Sequence, residues 1–390
     1  GTPTYIYSLR RAVANLRRIQ AAFAPLNAQI HYSAKANANL TVLRTLIAAG
    51  AGIDAVSGGE IHRALHAGAT PEAIVFAGVG KTGGELFYAL EHDIGWFNVE
   101  NVTECHFLDA IAGEFDRRAR VALRLNPDVA ADTHPAIATG HGGAKFGLSA
   151  AALRGLLSDQ TAFPHLAFAG VHLHIGSQLR DVTATVRAVQ IARDLIAPYP
   201  QIRAINIGGG FPVAYTPDDE LPPLDHFVSE LVPLLNGYIV MLEPGRSIIA
   251  DAGMLVTRVL YVKRQGGRTF VIVDAGMTEL LRPALYGADH RVVPLQRADD
   301  SSTAPVELVG PVCESTDVLA HHIDLPEVAP GDLLAILTTG AYGMVMASNY
   351  NARPRPPEIV VAEDGQSWHW ARHRESWHDL LGSELELLER

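Results

Sequence analysis

The stretch Ile30-His31-Tyr32-Ser33-Ala34-Lys35-Ala36-Asn37 decides the fold. Ile30 and Tyr32 alternate with His31 and Ser33, the period-two pattern of a strand, and Asn37 and Asn39 break the run. Leu40, Leu43, Leu46 and Ile47 then recur at helical spacing up to Gly50. The spacing predicts a strand over Gln29 to Lys35 that ends on a lysine before a βα turn. Lysine ordinarily lies on solvated faces, because burying an ammonium is costly. Alone, Lys35 reads as a surface lysine in a loop.

The strand-then-helix pattern repeats outward from this stretch. Further strands are predicted at Gly52 to Ser57, Ala73 to Gly78, Trp96 to Glu100, Arg120 to Asn126, Phe168 to Ile175, Ala204 to Gly208 and Tyr238 to Glu243. Helical patterns separate them, among them Glu60 to Ala67, Val102 to Ala112 and Ala184 to Ala197. Eight such units in roughly 250 residues fit a (β/α)8 barrel of the TIM type. A doubly wound sheet is the second architecture considered. The barrel is favoured because no Gly-x-Gly-x-x-Gly follows the first strand. Polar residues also fall at the carboxyl ends of several strands (Lys35, Asp54 to Ser57, Asn126, His174, Glu243), which a barrel brings to one mouth.

Past about Gly253 the pattern becomes β-rich, at Met254 to Lys263, Thr269 to Val273, Glu307 to Val309, Leu333 to Leu337 and Glu358 to Ala362. A helical pattern closes the chain near Ser376 to Leu387. The expected organisation is a barrel over 8–252 and an antiparallel β-sandwich or β-barrel domain over 253–390 that also takes in 1–7.

The chain has 390 residues, 48% hydrophobic and 19% charged, as a folded protein with a large core requires. A net charge of −11 disfavours nucleic acid and anionic membranes as partners. No apolar run reaches the roughly 18 residues that span a bilayer, and Gly1-Thr2-Pro3-Thr4 does not begin a signal peptide. Two cysteines, Cys105 and Cys313, are too few for a disulfide framework, and no Cys/His cluster has zinc spacing. These features lead us to expect a cytoplasmic protein without a metal.

Singly, the remaining signals are modest. Gly208-Gly209-Gly210 after a strand is either an anion-binding nest or a tight turn. Glu243, in Glu243-Pro244-Gly245-Arg246, could be a structural ion-pair partner. His172 and His174 share one strand face and suggest a polar barrel centre, and Cys313 beside Glu314 could be an inert thiol. Together they specify one chemistry. A strand-end lysine can form a Schiff base with an aldehyde cofactor. A glycine nest can hold its phosphate, a carboxylate can keep a pyridine nitrogen protonated, and a histidine can stack on the ring. That set describes pyridoxal 5′-phosphate (PLP).

The ordered stretches Tyr32 to Asn37, Gly52 to Glu60, Phe76 to Lys81, Arg124 to Pro127, Thr133-His134-Pro135, Lys145-Phe146-Gly147, His174 to Gln178, Gly208 to Gly210, Glu243 to Arg246, Arg282 to Tyr286, Cys313 to Asp317 and Gly340 to Asn351 carry a resemblance. The chain resembles the barrel-plus-β-domain family of PLP decarboxylases that holds the ornithine, arginine and diaminopimelate enzymes, and its diaminopimelate branch above all. The resemblance implies that Lys35 binds PLP covalently and His174 stacks on it. Asp54 would support the lysine. Ser177, Gly209, Gly210, Gly245 and Arg246 would hold the cofactor, with Glu243 facing the pyridine nitrogen. It also implies a homodimer in which Cys313 and Glu314 reach the partner's site, with Cys313 the proton donor and Tyr342 near phosphate and substrate. Arg246, Arg282 and Tyr286 would grip a distal carboxylate, and Glu314 a distal ammonium. Implied, then, is release of CO2 from meso-diaminopimelate to give L-lysine. A related decarboxylase of D-lysine, D-ornithine, ornithine, arginine or a carrier-linked acid, a racemase of the same fold, and a non-catalytic PLP-binding homologue are the alternatives.

Overall fold

In the computed structural model, which describes residues 1–129, 140, 143–296 and 302–388, the chain opens with β1 (Thr4–Ser8) and α1 (Leu9–Ala22). Eight parallel strands follow: β2 (Gln29–Ser33), β3 (Gly52–Ala55), β4 (Ile74–Phe76), β5 (Trp96–Val99), β6 (Ala119–Arg124), β7 (Leu166–His172), β8 (Ala204–Asn206) and β9 (Ile239–Leu242). Each pairs with the next, and β9 returns to β2 through Gln29 opposite Met241 and Ile30 opposite Leu242, which closes the barrel. One helix lies between each consecutive pair: α2 (Leu40–Ala48), α3 (Gly58–His66), α4 (Gly83–Glu91), α5 (Val102–Glu114), α6 (Ala150–Ser158), α7 (Thr183–Ile196) and α8 (Leu224–Leu235).

Local chemistry fixes where these elements begin. Asn39 accepts from the Thr41 N–H and caps α2, Ser57 caps α3, and Asn101 caps α5. Thr82 and Glu85 form a reciprocal capping box on α4. Val75, Trp96, Ala122, Ala204 and Met241 pack as an apolar cluster. Nearby strand positions carry His31, Asn98, His172 and Asn206 instead, all buried. Gly52 makes room for one of them, since a Cβ there would lie 2.5 Å from the His31 ring.

One strand end differs from expectation. Sequence periodicity carries the first barrel strand to Lys35, but β2 stops at Ser33. Lys35 sits in the 3₁₀ turn Ala34–Ala36. Ser33 Oγ lies 2.6 Å from Asp54 Oδ2 and 3.0 Å from the Glu243 carbonyl, so side-chain bonding takes over where the ladder ends.

After α9 (Arg246–Ile249) come β10 (Gly253–Gln265), β11 (Arg268–Val273), α10 (Arg282–Tyr286), β12 (Val292–Pro294), β13 (Ala304–Val309), β14 (Val318–Leu325), β15 (Leu333–Ile336), β16 (Glu358–Val361), β17 (Trp368–Arg372) and α11 (Trp377–Leu388). Seven strands run in the order β14-β13-β11-β10-β1-β16-β17, with β15 joining β10 to β12. Most pairs are antiparallel, as expected for this domain; β1–β16 and β11–β13 are parallel. The long β10 serves β1 and β15 with its first half. It passes a bulge at Val259/Tyr261 and serves β11 with its second.

The chain divides into two units. One comprises Val13–Val213 and Glu220–Ile248, which hold the barrel; the other comprises Gly1–Ala12, Ala214–Asp219 and Ile249–Arg390. The second takes in residues 8–12, 214–219 and 249–252 beyond the segments expected for the β domain. Among the described residues no helix is long and apolar enough to cross a membrane, and no group of three His, Cys, Asp or Glu side chains is placed to hold a metal ion.

Candidate active site

The barrel unit places Lys35, Asp54 and Glu243 at the carboxyl ends of its strands. Lys35 Nζ lies 3.6 Å from Asp54 Oδ2, and its side chain remains 39% exposed, so the amine is reachable. Asp54 is fully buried. Burial first, and the Glu243 charge second, push its carboxyl up to about 6, against the pull of Lys35. Glu60 on α3 accepts from the Val56 N–H at 2.8 Å, and burial pushes it up to about 7.

Glu243 follows β9 and is held on both oxygens. Asn98 Nδ2 and Asn206 Nδ2 donate to its Oε1 at 2.8 and 2.6 Å, and His172 Nε2 lies 3.1 Å from its Oε2. Burial opposes the charge, yet His172, Lys35 and the Asn206 hydrogen bond together hold this carboxyl well below the usual range. It stays an anion at neutral pH.

His174 lies beyond β7, where the Gly209 N–H approaches its Nδ1 at 3.4 Å. Burial, then the charges of Lys35 and Arg124, push its proton affinity well down, so the ring is neutral. Gly208 and Gly210 have φ of +68° and +97°. A Cβ on Gly208 would lie 2.5 Å from His174 Nδ1, and one on Gly209 2.4 Å from the Glu243 carbonyl. The turn is thus confined to peptide groups. Asn206 Oδ1 accepts from the Gly208 N–H at 2.9 Å and ties the turn to the Glu243 cluster. Gly245 is similarly confined against Ser33 and Ala36. Arg246 donates from Nε and a terminal nitrogen to Ser177 Oγ at 3.2 and 3.1 Å.

The remaining expected residues lie in the β unit. Arg282, on α10 with Tyr286, donates to His290 Nε2 at 2.8 Å. His290 Nδ1 therefore carries its proton toward the Leu337 carbonyl, 2.9 Å away. The Arg282 guanidinium also lies over the Tyr215 ring at 4.5 Å. Cys313 is an exposed thiol, and its N–H meets Asn351 Oδ1 at 3.4 Å. Glu314 accepts from Tyr350 Oη at 2.5 Å. Tyr342 adopts a left-handed backbone, φ +56°. The Thr133-His134-Pro135 stretch lies outside the described residues. Cys105 is buried, and burial pushes its thiol up to about 12.

Sequence reasoning gave no role to Asn98, Asn206, Glu60 or Lys81. The Lys81 side chain is fully buried, with Nζ 2.6 Å from Glu104 Oε1, 2.6 Å from the Asn98 carbonyl and 2.9 Å from the Gly78 carbonyl. Glu60 and Lys81 close two of the stretches that carry the family resemblance, while Asn98 and Asn206 are single amides within short strands.

Glu60 provides a test of this electrostatic picture. A carboxyl raised on folding costs nothing below about 4.5, where it is protonated folded or unfolded, and its full penalty above about 7. Glu60→Gln should therefore unfold at higher urea than the parent at pH 8, by about 3 kcal/mol. The gap should close by pH 4; a gap that widened toward acid would reverse the assignment.

A reachable amine, a buried anionic carboxylate, a neutral histidine and a glycine turn at the carboxyl ends of one closed barrel define a PLP enzyme of the barrel class, and the donor set fits that cofactor. The model of the pyridoxal-binding domain of pyridoxal-dependent decarboxylases matches residues 9–254. Diaminopimelate decarboxylase of Aquifex aeolicus is 40% identical over 99% of this chain and 92% of its own length. That of Pseudomonas aeruginosa is 42% identical over 98% and 93%. The crystal structure of diaminopimelate decarboxylase from Helicobacter pylori complexed with L-lysine superposes with a TM-score of 0.94 at 38% identity, covering 99% of this chain and 97% of that one. The chain belongs to the diaminopimelate decarboxylase family.

Proposed function

We propose that this chain removes CO2 from meso-diaminopimelate to give L-lysine, the closing step of lysine biosynthesis. The carrying observation is the barrel constellation of Lys35, Asp54, His174 and the ionised Glu243, in a chain of this family. Bound PLP supplies an electron sink for the pair left when the α-carboxylate departs. Lys35 would hold the cofactor's aldehyde, with its amine reachable by a substrate. Asp54, 3.6 Å from the Lys35 amine, supports it. Glu243 fixes negative charge where the ring nitrogen needs it, and neutral His174 offers a flat, uncharged face. The turn at Gly208 to Gly210 would hold the phosphate, and Ser177, Gly245 and Arg246 would help to hold the cofactor.

One C–C bond breaks and one C–H bond forms, and Cys313 supplies the proton. Arg246, Arg282 and Tyr286 are assigned to the distal carboxylate, Glu314 to the distal ammonium and Tyr342 to the cofactor and substrate. A substrate that lacks that carboxylate forgoes these charge-assisted hydrogen bonds and is disfavoured. CO2 release should be at least about 100-fold faster from meso-diaminopimelate than from D-lysine or L-ornithine. Faster turnover of either competitor would overturn the assignment.

The working form is a cytoplasmic homodimer whose sites are shared, Lys35 coming from one subunit and Cys313 from the other. Inactive Lys35→Ala and Cys313→Ala proteins, unfolded and refolded together, should regain up to about a quarter of parental activity by random pairing. A mixture that stays inactive would mean that each chain completes its own site.

A further inference from the structure

Asn98 lies on β5, wholly buried. Its Nδ2 donates to Glu243 Oε1 at 2.8 Å, but its own Oδ1 has no hydrogen-bond partner. A buried unpaired carbonyl costs about 1–3 kcal/mol, so stability alone does not account for an amide here. Its backbone is pinned from outside the barrel. The Lys81 ammonium, without exposure, sits on the Asn98 carbonyl at 2.6 Å and is neutralised by Glu104. Glu104 in turn accepts from the Glu100 N–H through its other oxygen, 2.8 Å away. The far end of β5 is thereby fixed by an ion pair on one side and offers one N–H to Glu243 on the other.

The geometry around Glu243 is directional. Two amides share Oε1 and one imidazole meets Oε2, so three groups from β5, β7 and β8 set the plane of the carboxylate. Donors aimed at an anion lower its proton affinity. Asn206 is also bound to the glycine turn, whereas the Asn98 side chain has Glu243 as its hydrogen-bonding partner.

We propose that Asn98, seated by the buried Lys81–Glu104 pair, is a positioning residue: its amide keeps Glu243 ionised and oriented for the pyridine nitrogen of the cofactor. This rests on the function proposed above. Asn98→Asp preserves shape and replaces the donor with a second carboxyl group. Asn98→Ser removes the reach without adding charge and serves if the aspartate fails to fold. The affinity of cofactor-free protein is measured for PLP and for its analogue with C–H in place of the ring nitrogen.

Asn98→Asp should weaken PLP by about tenfold or more and Asn98→Ser by about threefold, while the analogue changes less than about twofold. Equal weakening of both ligands would make Asn98 a packing residue, and unchanged affinities would remove its role; either overturns the inference. A parent protein that binds the two ligands equally would instead count against Glu243 at the ring nitrogen, and so against the underlying reading.

Discussion

Lys35→Ala should lower CO2 release by about 10⁴-fold, because the group that holds the aldehyde covalently is gone. The loss should come without collapse of the barrel. Lys35 sits in a short 3₁₀ turn with a partly exposed side chain, and Asp54 keeps its Ser33 contact at 2.6 Å. Borohydride reduction followed by peptide mass analysis should find the cofactor on the Lys35 peptide of the parent and on no peptide of the variant. A variant that still turned over within tenfold of the parent, or a parent labelled elsewhere, would sink the assignment of Lys35.

Glu243→Gln should reduce kcat by about 10²- to 10³-fold with much less change in KM, the loss seen when one preorganised charge or donor leaves a buried site. Glutamine keeps the shape and can still accept from Asn98 and Asn206, but the anion is lost. Stability should follow in a defined sense. The folded carboxyl is depressed from 4.5, so its contribution is present above about that pH and is lost as pH falls toward its folded value. The variant should therefore be less stable than the parent at pH 7, with the difference shrinking in acid. An unchanged kcat with a normal cofactor spectrum would remove Glu243 from the chemistry.

The barrel was legible because a local pattern recurs along the chain, a buried apolar strand, a turn and then a helix, with a side-chain cap at the start of α2 to α6. Ser57 with Glu60 and Thr82 with Glu85 state helix starts in plain sequence. Lys35, His174 and Glu243 were legible because each sits near a strand end. The β unit was less so. β1 pairs with β16 across some 350 residues, and no window contains both. β14 hides its alternation behind His321 and His322, which meet one Glu307 across a bulge. Asn98 and Asn206 were invisible for another reason. Each is one amide inside a short strand, and only closure of the barrel gives both the same carboxylate.

The order of that closure matters for how the enzyme is made. Translation delivers Asn98, then His172, then Asn206, and Glu243 last of the four, just after the strand that seals the ring. A nascent chain that ends before β9 has donors with no anion between them and an open edge on β2. The amides become satisfied in the same event that pairs β9 with β2 and β8. The carboxylate offered to the cofactor's ring and the donors that orient it are therefore completed in one step, the closure of the barrel.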